Sequence, residues 1–375
     1  MKYVANPAKK IKLAYIGGGS RGWAWKLMAD LALEPDLSGE VDLYDIDFEA
    51  AYDNVIIGNK ISSRPEPKGK WNYRAVRTLE EAIGGADFII ISIQPGTFKE
   101  MASDVHLPEQ YGIYQSVGDT VGPGGLVRAL RTIPIYQELA LKIKEYAPQA
   151  WVINYTNPMS LCTRTLYQVF PEIKAFGCCH EVFNTQEVLI KMLEAKLGIK
   201  GASRNEIRTN VLGINHFTWF DSASYHEMDL FPIYREYVDE NYECGIEGDG
   251  EKNWRNDVFS SAQRVKFDLF KRYGLIAAAG DRHLAEFLPG PWYLRDPQTV
   301  ASWKFRLTTV EERIRRQEER ELKRKRMISG EQEVDLDASG EEGVRQSFVG
   351  IRRLGNQRQF AQPGTNAGDA FERRC

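Results

Sequence analysis

A short apolar run, Ile11-Lys12-Leu13-Ala14-Tyr15-Ile16, ends directly in Gly17-Gly18-Gly19-Ser20-Arg21-Gly22, which fits G-x-G-x-x-G. This feature constrains the fold most. The first glycine allows a tight turn and the second lets backbone approach a pyrophosphate. The third permits close packing of the following helix, whose N-terminal N–H groups face the anion. Asp45 follows a second strand pattern, Val41-Asp42-Leu43-Tyr44, 23 residues after Gly22. An acid there accepts both ribose hydroxyls and repels a 2′-phosphate, so the pattern points to NAD over NADP. Gly17, Gly18, Gly19, Ser20, Gly22 and Asp45 are therefore the expected cofactor contacts.

The alternation continues downstream. Phe88–Ile93 is apolar but for Ser92 and rich in β-branched isoleucine, as a parallel strand covered on both faces reads. Ala150–Asn154 and Ile173–Gly177 extend the series, with helical patterns over Leu126–Tyr146 and Met159–Phe170 between strands. Strand–helix alternation predicts an α/β fold, a Rossmann-like doubly wound parallel sheet. After about residue 200 the texture changes. A likeness to an antiparallel strand runs over Arg208–Asn215, Trp- and Tyr-rich helical stretches follow, and Thr308–Met327 reads as a solvated charged helix. The expected organisation is an NAD-binding domain over 1–200, an α+β substrate and metal domain over 201–346, and an atypical tail over 347–375.

Composition excludes several classes. Lys+Arg 49 against Asp+Glu 52 leaves a net charge of −3, so no basic excess exists to neutralise nucleic-acid phosphates. The longest apolar runs are far short of a membrane span, and Met1–Pro7 has no apolar signal core. Five cysteines are too few and too scattered for a disulfide framework, so they read as thiols of a cytoplasmic protein.

Two segments bear metal-binding side chains: Cys178-Cys179-His180-Glu181, after a strand of the sheet, and Asn215-His216-Phe217. Thiolate plus imidazole suits a borderline or soft divalent ion. Gly280-Asp281-Arg282-His283-Leu284-Ala285-Glu286 places four ionisable groups beside an apolar run, as a loop presenting charge into a cleft does. Gly118-Asp119-Thr120-Val121-Gly122-Pro123-Gly124-Gly125 offers backbone donors before a helix, and Asn157 ends another strand with an amide suited to a polyol.

Taken together, these stretches resemble glycoside hydrolase family 4 over about Lys10 to Gln346. The likeness rests on Gly17–Ser20, Tyr114–Gly125, Asn154–Met159, Gly177–Val182 and Gly213–Phe217. Within the family the wording is closest to bacillary α-galacturonidases, notably at Cys178–Phe183 and Gly280–Pro291. The resemblance implies the architecture shared with lactate and malate dehydrogenases, a bound NAD and a divalent metal, manganese foremost. It implies cleavage by oxidation at sugar C3, loss of the C2 proton, elimination at C1, addition of water and return of the hydride, outside the two-carboxylate scheme. It makes Cys179 and His216 the metal ligands, with Asp119 and Asn157 as substrate contacts. His180 stands where several members have an aspartate assigned as general acid, and a histidine can also donate a proton near neutral pH. Asp281 is the candidate for the C2 base.

The substrate expected is a carbohydrate containing a uronate, acted on by a homo-oligomer. Two other readings share the cofactor loop: an NAD-dependent dehydrogenase of the lactate/malate type, and an inactive NAD-binding remnant. Ser347–Cys375 departs from the family's wording. Read in another frame from Gly355, its codons allow the family's T-N-V-N-x-P-N-x-G-Q stretch. The expectation is a frame slip near Gln346 and an extended, poorly packed tail.

Overall fold

The structure, a computed structural model, describes residues 10–35, 37–246 and 253–336 of the 375. The expectations for the tail over 347–375 lie outside the described residues. The chain forms two compact units. One holds the residues up to Pro95, Arg131–Cys178 and the stretch from Ile314; the other holds Gly96–Leu130 and Cys179–Arg313. The division is interleaved along the chain.

The first unit is built on a six-stranded sheet of β1 (Ile11–Ile16), β2 (Gly39–Tyr44), β3 (Trp71–Val76), β4 (Phe88–Ile91), β5 (Trp151–Asn154) and β6 (Lys174–Gly177). Its order is β3-β2-β1-β4-β5-β6 and every pairing is parallel. This is the doubly wound sheet expected, with the order reversing between β1 and β4, where such sheets bind ligands. All four residues of β4 are buried, which explains their unbroken apolar run. On one face Ala14, Ile16, Ile89, Ile91 and Val152 pack with Tyr136, Leu139, Ala140 and Ile143 of the helix Gly122–Tyr146. Strand β3 had no counterpart in the sequence reading. It is an edge strand in which Asn72 and Arg74 are exposed between buried Trp71 and Tyr73, so it lacks the continuous apolar signature.

The second unit carries an antiparallel sheet of β7 (Ile207–Ile214), β8 (Phe217–Tyr225), β9 (Met228–Asp229) and β10 (Ile276–Ala277), ordered β10-β8-β7 with β9 on β8. Phe220, Tyr234, Phe267 and Phe270 form one core, and Leu269, Leu284, Tyr293 and Phe305 a second. Strands β7 and β8 are joined by only Asn215 and His216, with Ile214 opposite Phe217. His216 therefore takes the second place of a two-residue turn, at φ 66°. A side chain in the left-handed region is uncommon and marks a position where the surroundings dictate geometry. Among the described residues no helix is long and apolar enough to cross a membrane. No disulfide joins any of the four described cysteines.

Candidate active site

In the first unit, the loop after β1 is pinned from three sides. The N–H groups of Gly17 and Gly18 both donate to Tyr44 O at 2.9 Å, and Gly19 N–H donates to Asp45 Oδ2 at 2.8 Å. Asn54, which the motif does not include, donates its amide to Gly18 O at 2.7 Å and Ser20 O at 3.0 Å. A Cβ on Gly17 would lie 2.0 Å from Ser92 O, and Gly17 sits at φ 95°. Gly22, at φ 142°, precedes the helix Trp23–Leu33. Backbone approachable at a helix start, with an acid at the end of the neighbouring strand, fits a dinucleotide.

The same unit carries Asn157. Asn154 is buried and accepts from Tyr136 Oη and from Thr156 N–H, while Thr156 Oγ1 accepts from Ile93 N–H. These bonds shape the loop that presents half-buried Asn157.

In the second unit, ligand atoms of Asp119, His216 and His283 all lie within 4.8 Å of one another. Thr120 Oγ1 donates to Asp119 Oδ1 at 2.7 Å and lies 2.8 Å from His216 Nδ1. With the hydroxyl proton given to Asp119, the bond to His216 is satisfied by Nδ1–H donating to Thr120. That assigns the tautomer and leaves Nε2 with its lone pair free to ligate. Burial, with the neighbouring His283, pushes His216 down to about 3, so it is neutral, the ligating form. The two imidazoles stack at 3.6 Å between centroids. His283 Nε2 sits 3.3 Å from Glu181 Oε1, while its Nδ1 is buried without a hydrogen-bond partner. Burial opposes ionisation of Glu181, but His283, with His180 and His216, outweighs it and holds the carboxyl well below its usual range. A carboxylate and two imidazoles, one with an unpaired buried nitrogen, suit a borderline divalent ion.

Cys179 is half-buried and His180 exposed, immediately before the helix Glu181–Leu197. Cys179 is not part of the three-residue cluster, which joins His216, an expected metal ligand, to Asp119, expected as a substrate contact, and to His283. Asp281, the expected C2 base, lies outside that cluster as well. It is fully buried, and its Oδ1 accepts the Lys266 N–H at 3.1 Å, at the start of the helix Arg264–Tyr273. Its Oδ2 is buried without a hydrogen-bond partner. Thr120, Glu181 and His283 were overlooked as site residues although each lies inside a motif read from the sequence. Only their mutual distances distinguish them from ordinary polar side chains.

A doubly wound dinucleotide fold bearing a His-rich, metal-capable cluster defines an enzyme. Family models describe the chain over most of its length: family 4 glycosyl hydrolase over residues 12–195 and its C-terminal domain over 211–354. The chain is 62% identical over 346 residues to an α-galacturonidase of Thermoanaerobacterium saccharolyticum, covering 92% of this chain and 74% of that protein. It is 57% identical over 335 residues to the α-galacturonidase of Bacillus subtilis, covering 89% and 73%. The crystal structure of lplD from Bacillus subtilis superposes with a TM-score of 0.85 at 55% identity, over 90% of this chain and 76% of that one. A 6-phospho-α-glucosidase from gut microorganisms, solved with NAD and Mn2+, shares the fold at a TM-score of 0.71 and 20% identity, covering 94% and 76%.

The chain belongs to family 4 of the glycosyl hydrolases and is a glycosidase. Neither the lactate/malate-type dehydrogenase nor the inactive remnant is favoured.

Proposed function

We propose that the chain hydrolyses terminal α-linked galacturonides with NAD and a divalent ion, manganese foremost. The observation that carries the substrate class is the contrast among relatives. Identity to four α-galacturonidases is 57–62%, whereas it falls to 31% for an α-galactosidase of Bacillus subtilis. The cytoplasmic setting expected from the sequence suits a dinucleotide and an oxidisable thiol.

When bound, NAD would take up and return a hydride at sugar C3, and the ion would act as a Lewis acid at the C2 and C3 oxygens. Gly17–Gly22 and Asp45 would hold the dinucleotide. His216 Nε2 and Cys179 would hold the ion, with His283 Nδ1 as a further donor. The Asp119–Thr120–His216 chain keeps the imidazole in its ligating tautomer. Asn157 would donate to sugar hydroxyls. His180, exposed ahead of its helix, would hand a proton to the leaving oxygen.

The test is hydrolysis of a chromogenic α-galacturonide with NAD and manganese present, carried out in heavy water. We expect cleavage, and deuterium at C2 of the released sugar. Absence of cleavage would overturn the substrate; product lacking C2 deuterium would overturn elimination.

A further inference from the structure

The short helix Asp281–Glu286 supplies His283 to the cluster with Asp119 and His216, and two of its other residues hold the chain that leads into Asp119. Ser116 Oγ donates to Arg282 O, and Arg282 Nη2 points to Ser116 O at 3.4 Å. Glu286 Oε1 accepts the N–H groups of Val117 at 2.7 Å and Gly118 at 2.8 Å. Val117 and Gly118 are buried and belong to neither helix nor strand, so their N–H groups have no ladder to join. Buried amide donors require an acceptor, and here one carboxylate oxygen serves two of them.

The held segment has little room to shift. Gly118 takes φ 71°, and a Cβ there would lie 2.7 Å from Val105 Cγ2. Val117 O also accepts from Arg313 Nη2 at 3.0 Å, and Ser116 O from the Thr308 N–H at 3.1 Å. Asp119 and Thr120 come next in the chain. Thr120 Oγ1 donates to Asp119 Oδ1 at 2.7 Å and meets His216 Nδ1 at 2.8 Å. One helix therefore carries His283 and, through Glu286, fixes the start of the segment that carries Asp119 and Thr120.

We propose that Glu286 is a positioning residue for the metal-capable cluster. Acting through the backbone of Val117 and Gly118, its carboxylate sets where Asp119 and Thr120 stand against His216 and His283. The proposal rests on the reading of that cluster as the site of the divalent ion, and it adds a residue outside the cluster itself. Metal affinity depends on how the donors are oriented, so a group that fixes their backbone acts on the ion without ligating it. The requirement on Glu286 is reach, not charge. A glutamine oxygen can serve both N–H groups from the same place, whereas an aspartate, one methylene shorter, draws the acceptor back from them.

The experiment uses the full chain with NAD bound, as wild type, Glu286→Gln, Glu286→Asp and Glu286→Ala. Manganese is titrated in, and the free ion is read by electron paramagnetic resonance. Fluorescence titration gives the NAD affinity of each protein. We expect Glu286→Asp and Glu286→Ala to weaken manganese binding by about 10- to 100-fold, as losing a group that orients a ligand does. Glu286→Gln should bind the ion as wild type does, and NAD affinity should stay unmoved throughout. Wild-type manganese affinity in Glu286→Asp and Glu286→Ala refutes the proposal. A loss in Glu286→Gln as large as in Glu286→Asp also refutes it, because charge and not reach would then be at work. NAD affinity falling in parallel with manganese affinity refutes it as well, since the damage would not be confined to the cluster. Should Glu286→Ala fail to fold, Glu286→Asp and Glu286→Gln decide between them. A wild type that binds no manganese would instead sink the reading of the cluster as a metal site.

Discussion

Thr120 Oγ1 lies 2.8 Å from His216 Nδ1, and this contact decides which nitrogen of the imidazole remains free to ligate. Thr120→Val should leave the fold intact and let the ring choose either tautomer. We expect the manganese concentration for half-maximal activity to rise about 10- to 100-fold, as for loss of other groups that orient a ligand, with Thr120→Ser restoring it. Unchanged metal dependence would remove Thr120 from this role.

Chelation should abolish cleavage in the wild type. Cys179→Ser and His216→Ala should lose the metal-stimulated activity while still binding NAD, measured by fluorescence titration. Metal-stimulated activity that persists in either variant would show that the ion is held elsewhere, and activity that survives chelation would show that no ion is needed. Because a thiolate is exposed to oxidation, reductant should preserve the wild type during storage.

Asp45→Ala should weaken NAD binding about 10-fold or more and reduce discrimination against NADP. The substitution also removes the acceptor for Gly19 N–H, which loosens the loop. Affinities for both dinucleotides, compared across the two proteins, separate the effects: a loosened loop alone lowers both in proportion.

Gly17→Ala should destabilise the first unit by about 3 kcal/mol, because it adds a Cβ against Ser92 O and requires an unfavourable φ. Urea denaturation followed by tryptophan fluorescence would measure it. A loss below 1 kcal/mol would mean that the loop relaxes freely.

Burial pushes the Glu286 carboxyl up to about 7 from its ordinary 4.5, although two backbone N–H groups favour its ionised form. The folded state therefore binds more protons than the unfolded state between those values. The stability this group contributes is complete below about pH 4.5 and is lost as pH rises through about 7. Glu286→Gln keeps an acceptor for Val117 and Gly118. Measured on metal-free protein at pH 8, it should be more stable than wild type by on the order of 2 kcal/mol, with the difference vanishing toward pH 4.5. A pH-independent difference would exclude titration of Glu286 as the cause.

Much of the first unit was legible from local pattern alone. A parallel strand covered on both faces must be apolar throughout, so Ile11–Ile16 and Phe88–Ile91 announce themselves. The glycine loop is equally local, since its constraint is steric and each glycine answers to a neighbour one strand away. Edge strand β3 escaped because one exposed face dilutes its apolar run. Asp281 and His283 show where local reading ends. Both stand in one charged motif, two residues apart, and linear sequence offers no reason to prefer one. Tertiary packing turns Asp281 toward the Lys266 backbone and stacks His283 on His216. Side-chain chemistry follows from residue type, which the sequence determines by itself. Which groups share a dielectric environment, lose a hydrogen-bond partner or meet a second charge depends on distances between segments about a hundred residues apart. Those distances exist only in the folded chain, and they alone assemble Asp119, Thr120, His216 and His283 into one site.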